Sequence, residues 1–285
     1  MMTSGGLFKA IESGQKVGCD VVQIFTKSPQ QWQAKPLTDA DVEAFRRAQE
    51  EIGIPCIAAH DSYLINPAAA DPALLKRSRD ALVDEMRRCA RLGIPCVVMH
   101  LGACGESPEK EALGRLIESV RVVLERTASE HDGPLPNLLL ETTAGQGTTL
   151  GYRFEHLAAV FDSLPADARI GACLDTCHIF VAGYELRDDA GYTATMAEFD
   201  RLIGFRRLRL IHANDSRRER GSRIDRHHHI GQGEIGLEGF RRLLNDPRTA
   251  GVPVVLETPK EGEMDRVNLA ALRALVNGSK TSSGS

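Results

Sequence analysis

Six apolar segments of the chain each end in a residue that could bind a metal ion. The segments are short and rich in aliphatic side chains, which is typical of buried β-strands. Their polar ends are 34 to 45 residues apart, which leaves room for one helix between consecutive strands. One strand-end histidine is usually a packing group, but six such ends in succession indicate a shared site. These ends are His60, His100, Glu141, Asp175, His212 and Glu257.

Three further residues could add to this set. The apolar run 170–174 predicts a strand that gives way to a loop at Asp175, where His178 follows three residues later. Both side chains could then face a pocket above the strand end, where α/β proteins place their sites. The alternative is a helix-capping Asp175 and a hydrogen-bonded core histidine. Asp225 and His227 are two residues apart, so extended backbone would point both the same way, toward an ion shared with His178.

The combined set of five histidines and four carboxylates suits zinc or manganese at a catalytic site with open positions. Nine ligands are too many for one ion, and they are enough for three if a carboxylate bridges two ions. The other histidines receive weaker assignments. We expect His228 and His229 to support the site or lie on the surface, and His131 and His156 to be solvated on polar helices.

The elements that must position these residues alternate along the chain. Helices are predicted at 6–16, 38–52, 72–92, 108–129, 153–164, 194–203, 237–244 and 264–276, and strands at 19–25, 56–60, 96–100, 137–141, 170–174, 208–212 and 254–257. This alternation indicates βαβ units and a parallel sheet. An open sheet would spread the six polar ends along a line, whereas a barrel gathers them in one ring. The predicted fold is therefore α/β, a TIM (β/α)8 barrel.

Composition sets further bounds. The chain has 285 residues, 42% of them hydrophobic, so it can bury one large core. We expect a single domain at 1–277 and a flexible Gly/Ser-rich tail at 278–285. No apolar run approaches the roughly 18 residues of a membrane span, and the start lacks a leader pattern. Seven cysteines, an odd number, favour reduced thiols. We expect a cytoplasmic protein with no membrane partner.

Several motifs around these residues resemble those of endonuclease IV, a family of zinc-dependent apurinic/apyrimidinic (AP) endonucleases, also called AP endonuclease family 2. The likeness covers essentially the whole chain, and the motifs are highly specific in combination. They are HDSYLIN at 60–66, ETTAGQG at 141–147, DTCH at 175–178, HANDS at 212–216, DRHH at 225–228 and GQGEIG at 231–236.

The resemblance implies a trinuclear zinc centre on a TIM barrel, with Mn²⁺ as an alternative at one position. Glu141 matches the carboxylate that bridges two ions, and Glu141, Glu257 and Asp175 are the implied catalytic residues. The implied reaction hydrolyses the phosphodiester 5′ to an abasic site in duplex DNA, leaving 3′-hydroxyl and 5′-deoxyribose phosphate ends for base excision repair. Blocked 3′ ends are further expected substrates. The implied metal ligands are His60, His100, Glu141, Asp175, His178, His212, Asp225, His227 and Glu257.

A net charge of −4 argues mildly against nucleic-acid binding, but three Zn²⁺ would add six positive charges and turn it into +2. Five arginines also cluster between 217 and 226, where phosphate-positioning residues would be useful. The resemblance implies that Tyr63 and Leu64 wedge into the duplex, while Gln30 replaces an arginine that some family members insert into the base stack. The expected DNA contacts are Tyr63, Leu64, Gln30, Arg217, Arg218, Arg223 and Arg226.

The resemblance is incomplete at the N-terminus. The family's barrel begins with a strand ending in Gly-Ala-His, followed by a Ser-x-x-Gly-Gly turn whose glycines match Gly5 and Gly6. Here the sequence starts at Met-Met-Thr-Ser-Gly-Gly, which indicates that the first strand is missing or truncated. The barrel is then expected to have seven strands and two exposed edges.

Two other functions remain open. A single-metal sugar isomerase or epimerase on the related barrel could use Glu141, Asp175, His212 and Glu257, but it would have no use for the other five ligands. A zinc-stabilised DNA-binding module without catalysis is a weaker alternative, since structural zinc sites are usually closed by cysteines. Three ions would favour the nuclease and one ion the isomerase. We expect the protein to be a monomer.

Overall fold

A parallel sheet of seven strands organises the protein in the computed structural model, which describes residues 5–130 and 133–276. The strand order is β1-β2-β3-β4-β5-β6-β9, and every neighbouring pair is parallel. β7 and β8 form a separate antiparallel ribbon. The strands are β1 Val22–Phe25, β2 Cys56–His60, β3 Cys96–His100, β4 Asn137–Glu141, β5 Ile170–Asp175, β6 Leu208–His212, β7 Asp215–Ser216, β8 His227–His228 and β9 Val254–Val255.

Helices connect the strands, and their ends follow local sequence signals. Thr38 and Asp41 form the capping box of α2, while Asp71 caps α3 through the backbone N–H groups of Ala73 and Leu74. Among the described helices, none has the length and apolar character needed to cross a bilayer. The helices are α1 Phe8–Val17, α2 Asp39–Ile52, α3 Pro72–Leu92, α4 Glu109–Ser129, α5 Phe154–Asp162, α6 Thr176–Ala182, α7 Asp189–Leu202, α8 Gly236–Asn245 and α9 Met264–Leu275.

The two ends of the sheet meet, as a barrel requires. Six steps of about 4.8 Å between strands would put the edges of a flat sheet roughly 29 Å apart. Instead, the side chain of Gln23 on β1 is hydrogen-bonded to Glu257, just beyond β9, at 2.7 Å. No backbone pairing joins these two strands within the described residues. The sheet is therefore a nearly closed TIM-type barrel with seven strands and two unpaired edges, as the sequence predicted.

The barrel interior holds a small cluster of buried residues: Ala58, Val98, Leu139, Cys173 and Leu210. Each member lies two residues before one of the strand-end polar residues. Because side chains alternate along a strand, the polar ends face the same side as this cluster. The barrel core is thus the floor beneath the six polar strand ends, while the larger apolar cluster packs the helices against the outer face.

Four sequence-based assignments of elements were wrong. The helix predicted at 194–203 starts earlier and spans Asp189–Leu202. The segment after β5 is helix α6 rather than a loop, because the Asp175 side chain accepts a hydrogen bond from the backbone N–H of His178 and caps the helix. The strand predicted at 254–257 ends at Val255, and the one predicted at 19–25 begins at Val22. These are the two edge strands, each of which has a partner on one side only.

Candidate metal centre

Glu141 is the central residue of the site. Its side chain is completely buried at the end of β4. Oε2 lies 3.0 Å from Nε2 of His60 and 3.1 Å from Nε2 of His100, whereas Oε1 lies 2.7 Å from Nδ1 of His212. The two oxygens thus face different histidine groups, which is the arrangement that a carboxylate bridging two metal ions requires.

A second group of donor atoms surrounds Oε1 of Glu141. Asp175, His212 and Glu257 each place one donor atom so that all four residues lie within 4.8 Å of one another. Nδ1 of His212 lies 3.3 Å from Glu257 and 3.9 Å from Asp175. One ion could contact all four side chains and would share Glu141 with the His60–His100 pair.

The third group combines α6 with the β7–β8 ribbon. Nε2 of His178 lies 3.2 Å from Asp225, and Nε2 of His227 lies 3.3 Å from the other oxygen of the same carboxylate. The ribbon fixes His227, which pairs with Ser216 across its two strands. The backbone N–H of Asp225 is held by the side chain of Gln146 at 3.0 Å.

Four of the five histidines are oriented by their second ring nitrogen. Nδ1 donates to a backbone carbonyl in three cases: His60 to Asp61 at 3.0 Å, His178 to Thr142 at 2.8 Å, and His227 to Glu257 at 3.2 Å. A carbonyl can only accept, so Nδ1 carries a hydrogen and Nε2 is the nitrogen that faces the carboxylates and could bind a metal ion. His212 is reversed, since its Nε2 contacts Gln23 and its Nδ1 faces the site.

These features fit divalent metal ions. Nε2 of His227 is buried and has no hydrogen-bond partner among the described residues, although it points into the third group. Five imidazoles and four carboxylates form the donor set expected for zinc or manganese. Sulfur atoms of Cys173 and Cys177 also lie within reach of two groups. Burial raises the pKa of both thiols, which favours the nitrogen and oxygen donors as ligands.

Two of the carboxylates, Glu141 and Asp225, have pKa values that favour the ionised form. Burial alone would raise the pKa of Glu141, but the charges of His212 and His100 and their hydrogen bonds hold its pKa well below the usual value. Burial acts the same way on Asp225, where the hydrogen bond and charge of His178 outweigh it and lower the pKa. Negative charge is therefore retained in the site, ready for cations.

The pKa values of three imidazoles shift in the opposite direction, upward. Burial alone would lower the pKa of His60, but hydrogen bonds with Asp61 and Glu141 raise it well above its usual value. The pKa values of His178 and His212 are raised as well, since the surrounding carboxylate charges outweigh burial. In the metal-free protein, protonated imidazoles thus supply the positive charge that bound metal would otherwise supply.

Sequence reasoning missed the residues that orient the acidic ligands. Asn214 donates from its side chain to Asp175 at 2.6 Å and accepts from the backbone N–H of Glu257 at 2.7 Å. Asp215 accepts backbone hydrogen bonds from three residues of the loop 231–235. Gly233 packs there so closely that a β-carbon would lie 2.3 Å from the Ser216 carbonyl oxygen. The HANDS and GQGEIG motifs were the available signal for these contacts.

The residues expected to wedge into DNA lie at the rim. Tyr63 is 61% exposed, and its ring centre lies 6.0 Å from that of His60. Leu64 is half-buried and Gln30 is exposed. The backbone N–H of Tyr63 donates to Pro29 at 3.1 Å, so the loops that carry Tyr63 and Gln30 are joined beside the metal ligands.

The arginines occupy the loop between β7 and β8. Arg217, Arg218, Arg223 and Arg226 are all exposed. The loop is closed at its base, where the backbone N–H of Arg217 donates to Arg226 at 2.9 Å. Arg223 has a left-handed φ of 54° and lies over the Tyr152 ring at 4.3 Å. The same loop holds Asp225, so the positive charges lie next to the third ligand group.

The remaining histidines show one clear error. His156 was expected to be solvated, but it is 3% exposed and accepts a hydrogen bond from the backbone N–H of Gly151 at 3.0 Å. Helical spacing alone could not reveal this partner in the preceding loop. His229 is buried and lies 3.1 Å from the Asn268 side chain, so it supports the loop after β8. His131 lies outside the described residues.

Fold and site together define a TIM barrel with residues that could hold metal ions, and the comparisons identify its family. Residues 11–276 match the family described as xylose isomerase-like TIM barrel. A protein named Probable endonuclease 4 from Chloroflexus aurantiacus is 50% identical over 282 residues, covering 98% of each chain. The crystal structure of endonuclease IV from Thermus thermophilus is 37% identical, with a TM-score of 0.82 over 95% of this chain and 94% of that one.

The chain belongs to the endonuclease IV family, as these identities over nearly the full length show. A broader likeness concerns the fold alone. A D-tagatose 3-epimerase-like protein superposes with a TM-score of 0.73 over 95% of this chain and 93% of that one, at 17% identity. The barrel is therefore shared with proteins named as sugar epimerases, and the fold by itself does not choose between the two activities.

The orientation of the rings predicts which nitrogen each histidine offers to a metal. In zinc-loaded protein we expect His60, His178 and His227 to bind through Nε2 and His212 through Nδ1, because the other nitrogen of each ring is already hydrogen-bonded. Long-range proton-nitrogen NMR of the imidazoles measures this directly. Nε2 ligation by His212 would contradict the expected pattern.

The raised imidazole pKa values predict how the stability of the metal-free protein depends on pH. The contribution of these imidazoles to the free energy of unfolding is complete below the unfolded-state pKa of about 6.5. It is lost as pH rises through the folded-state pKa. Chelator-treated protein should therefore melt at a lower temperature at about pH 9 than at about pH 7. Zinc-loaded protein is the control and should lack this loss, since bound metal replaces the protons. A metal-free melting temperature that rises over this range would refute the ion-paired description.

Proposed function

We propose that this protein is a DNA-repair endonuclease that hydrolyses the phosphodiester 5′ to abasic sites in duplex DNA, leaving 3′-hydroxyl and 5′-deoxyribose phosphate ends. The observation that carries the proposal is the set of three ligand groups beside an arginine loop, in a chain of the endonuclease IV family. Glu141 belongs to two of these groups, which supports a cluster rather than isolated ions.

The ligands would hold three zinc ions, with manganese as an alternative at one position. Bound metal supplies Lewis acidity and a water of lowered pKa, which suits phosphodiester hydrolysis. His60, His100 and Glu141 form one group; Glu141, Asp175, His212 and Glu257 form the second; His178, Asp225 and His227 form the third. Glu141, Asp175 and Glu257 are the proposed catalytic carboxylates, because they surround the position where the groups meet.

Exposure within the centre indicates where DNA would approach. The side chains of Glu141, Asp175 and His212 are fully buried, whereas His100 is 35% exposed and Asp225 is 39% exposed. A phosphodiester would enter from the accessible side. Since the buried ligands lie below the rim, we infer that the abasic nucleotide leaves the base stack to reach them, with Tyr63 and Leu64 filling the gap.

The arginine loop would bind the phosphates next to the break. Arg217, Arg218, Arg223 and Arg226 lie on the rim with exposed guanidinium groups, so they can contact backbone without reading sequence. Gln30, on the opposite loop, would contact the DNA through an uncharged side chain. Duplex DNA with abasic sites is the proposed main substrate, and DNA with blocked 3′ ends a further one. A monomer acting in the cytoplasm, on the nucleoid, is consistent with this role.

A single-metal sugar isomerase or epimerase is the second candidate. The group of Glu141, Asp175, His212 and Glu257 could hold one ion, and sugar epimerases share the barrel. That reaction leaves the third ligand group and the arginine loop without a purpose. The number of metal ions per chain distinguishes the two activities: three support the nuclease and one supports the isomerase.

Incision of abasic DNA tests the proposal. Zinc-loaded protein should nick a duplex 5′ to a single abasic-site analogue and leave a 3′-hydroxyl. Glu141→Gln keeps the shape of the bridging side chain but removes its charge, so the rate should fall roughly 100-fold to 10,000-fold. Gel analysis of product ends, with metal content measured in parallel, provides the readout. Protein that carries three zinc ions and leaves the duplex intact would reject the nuclease.

The salt dependence of DNA binding tests the arginine loop. Each phosphate contact releases counterions, so Arg218→Gln should lower the slope of log affinity against log salt by roughly 1. Arg47→Gln, an exposed arginine in α2, is the matched control and should leave the slope unchanged. Fluorescence anisotropy with an abasic duplex measures both. Equal slopes for the two variants would exclude Arg218 from the phosphate contacts.

A further inference from the structure

We propose that Gln23 is a positioning residue for the metal centre: its side-chain amide joins His212 to Glu257 across the gap between the two edge strands. The inference rests on the proposed metal-dependent function and concerns a residue that is not itself a ligand. Gln23 lies on β1, is 7% exposed, and belongs to none of the groups of donor atoms.

Both ends of the amide contact proposed ligands. The Gln23 Nε2 donates to Oε1 of Glu257 at 2.7 Å, and its Oε1 lies 2.9 Å from Nε2 of His212. The two ligands are themselves in contact, with Nδ1 of His212 lying 3.3 Å from Oε2 of Glu257. One neutral side chain thus holds two members of the second ligand group against each other.

The chemistry of these groups allows only one arrangement of hydrogens. An ionised carboxylate can only accept, so the NH₂ end of Gln23 must face Glu257. The amide oxygen is then turned to His212, whose Nε2 must carry a hydrogen. The nitrogen of His212 that can offer a lone pair to a metal ion is then Nδ1, which lies 2.7 Å from Glu141. Gln23 therefore selects the His212 nitrogen that faces the metal centre.

The topology explains why this position needs a side-chain contact. His100 and Glu141 are paired across β3 and β4, and Asp175 and His212 across β5 and β6. Glu257 lies beyond the end of β9, and β9 has no backbone pairing with β1 in the described part of the chain. Gln23 supplies a link that neighbouring strands elsewhere obtain from the backbone ladder. It closes the barrel at the level of the metal centre.

Zinc binding by two Gln23 variants provides the test. Gln23→Met keeps the length and removes both polar ends, while Gln23→Glu keeps the acceptor for His212 and places a second negative charge against Glu257. Gln33→Met, at an exposed position, is the matched control. Both Gln23 variants should bind one of the zinc ions roughly 10-fold to 100-fold more weakly, as is usual when a residue that orients a metal ligand is lost. Competition with a chromogenic chelator measures the affinity.

A second readout separates positioning from general destabilisation. In zinc-loaded Gln23→Glu, His212 should still bind through Nδ1, since the acceptor for its Nε2 hydrogen remains. In Gln23→Met, imidazole NMR should show a mixture of Nδ1 and Nε2 ligation. Zinc affinity equal to that of Gln33→Met would overturn the inference. The inference would also be overturned if all zinc ions bound equally more weakly and the metal-free protein had a lowered melting temperature. That result would describe a purely structural residue.

The outcomes also separate this inference from the proposed function. A parent protein that binds no zinc would overturn both. A parent that binds zinc and incises abasic DNA, with Gln23 variants of unchanged affinity, would overturn only the role of Gln23. Selective weakening in the variants, with a zinc-loaded parent that leaves abasic DNA intact, would support Gln23 and reject the nuclease.

Discussion

The repulsion among four carboxylates gathered at one end of a barrel is the constraint on which the rest of the site depends. Glu141 and Asp175 are fully buried. Asp225 lies within contact distance of His178, and Glu257 within contact distance of His212. Such a group is stable only with compensating positive charge. Imidazolium groups provide that charge in the metal-free protein, and metal ions would take it over. The folded state is therefore prepared for cations before any are bound.

The ligand-orienting contacts come mainly from residues next to the ligands in sequence. His60 donates to the carbonyl of the following residue, His178 to the residue after Glu141, and His227 to Glu257 itself. The ligand-bearing ends thus orient one another, so the strand ends form one cooperative unit. Displacing one strand would disturb a metal ligand and the acceptor of a neighbouring imidazole together.

Local sequence was enough for the barrel and for the six polar strand ends, because strand alternation and strand length place each of these ends on the inner face. It was not enough for the residues that hold them. Gln23 and Glu257 are 234 residues apart in sequence, and Asn214 and Asp175 are 39 residues apart. No periodicity encodes such pairs. Helix α6 was missed for a related reason, since Asp175 is both a helix cap and a member of the site, and the two interpretations had been treated as alternatives.

The β7–β8 ribbon joins the third ligand group to the arginine loop. Asp225 and His227 are at its base, and the exposed arginines occupy the loop between its strands. The negative net charge of the chain is therefore a poor guide, because the charges that matter to DNA are local. An ion held by Asp225 and His227 would stiffen the base of the arginine loop and add positive charge beside it. Loading of the third ligand group should then contribute to phosphate affinity as well as to chemistry, which places DNA recognition and the metal centre in one structural element.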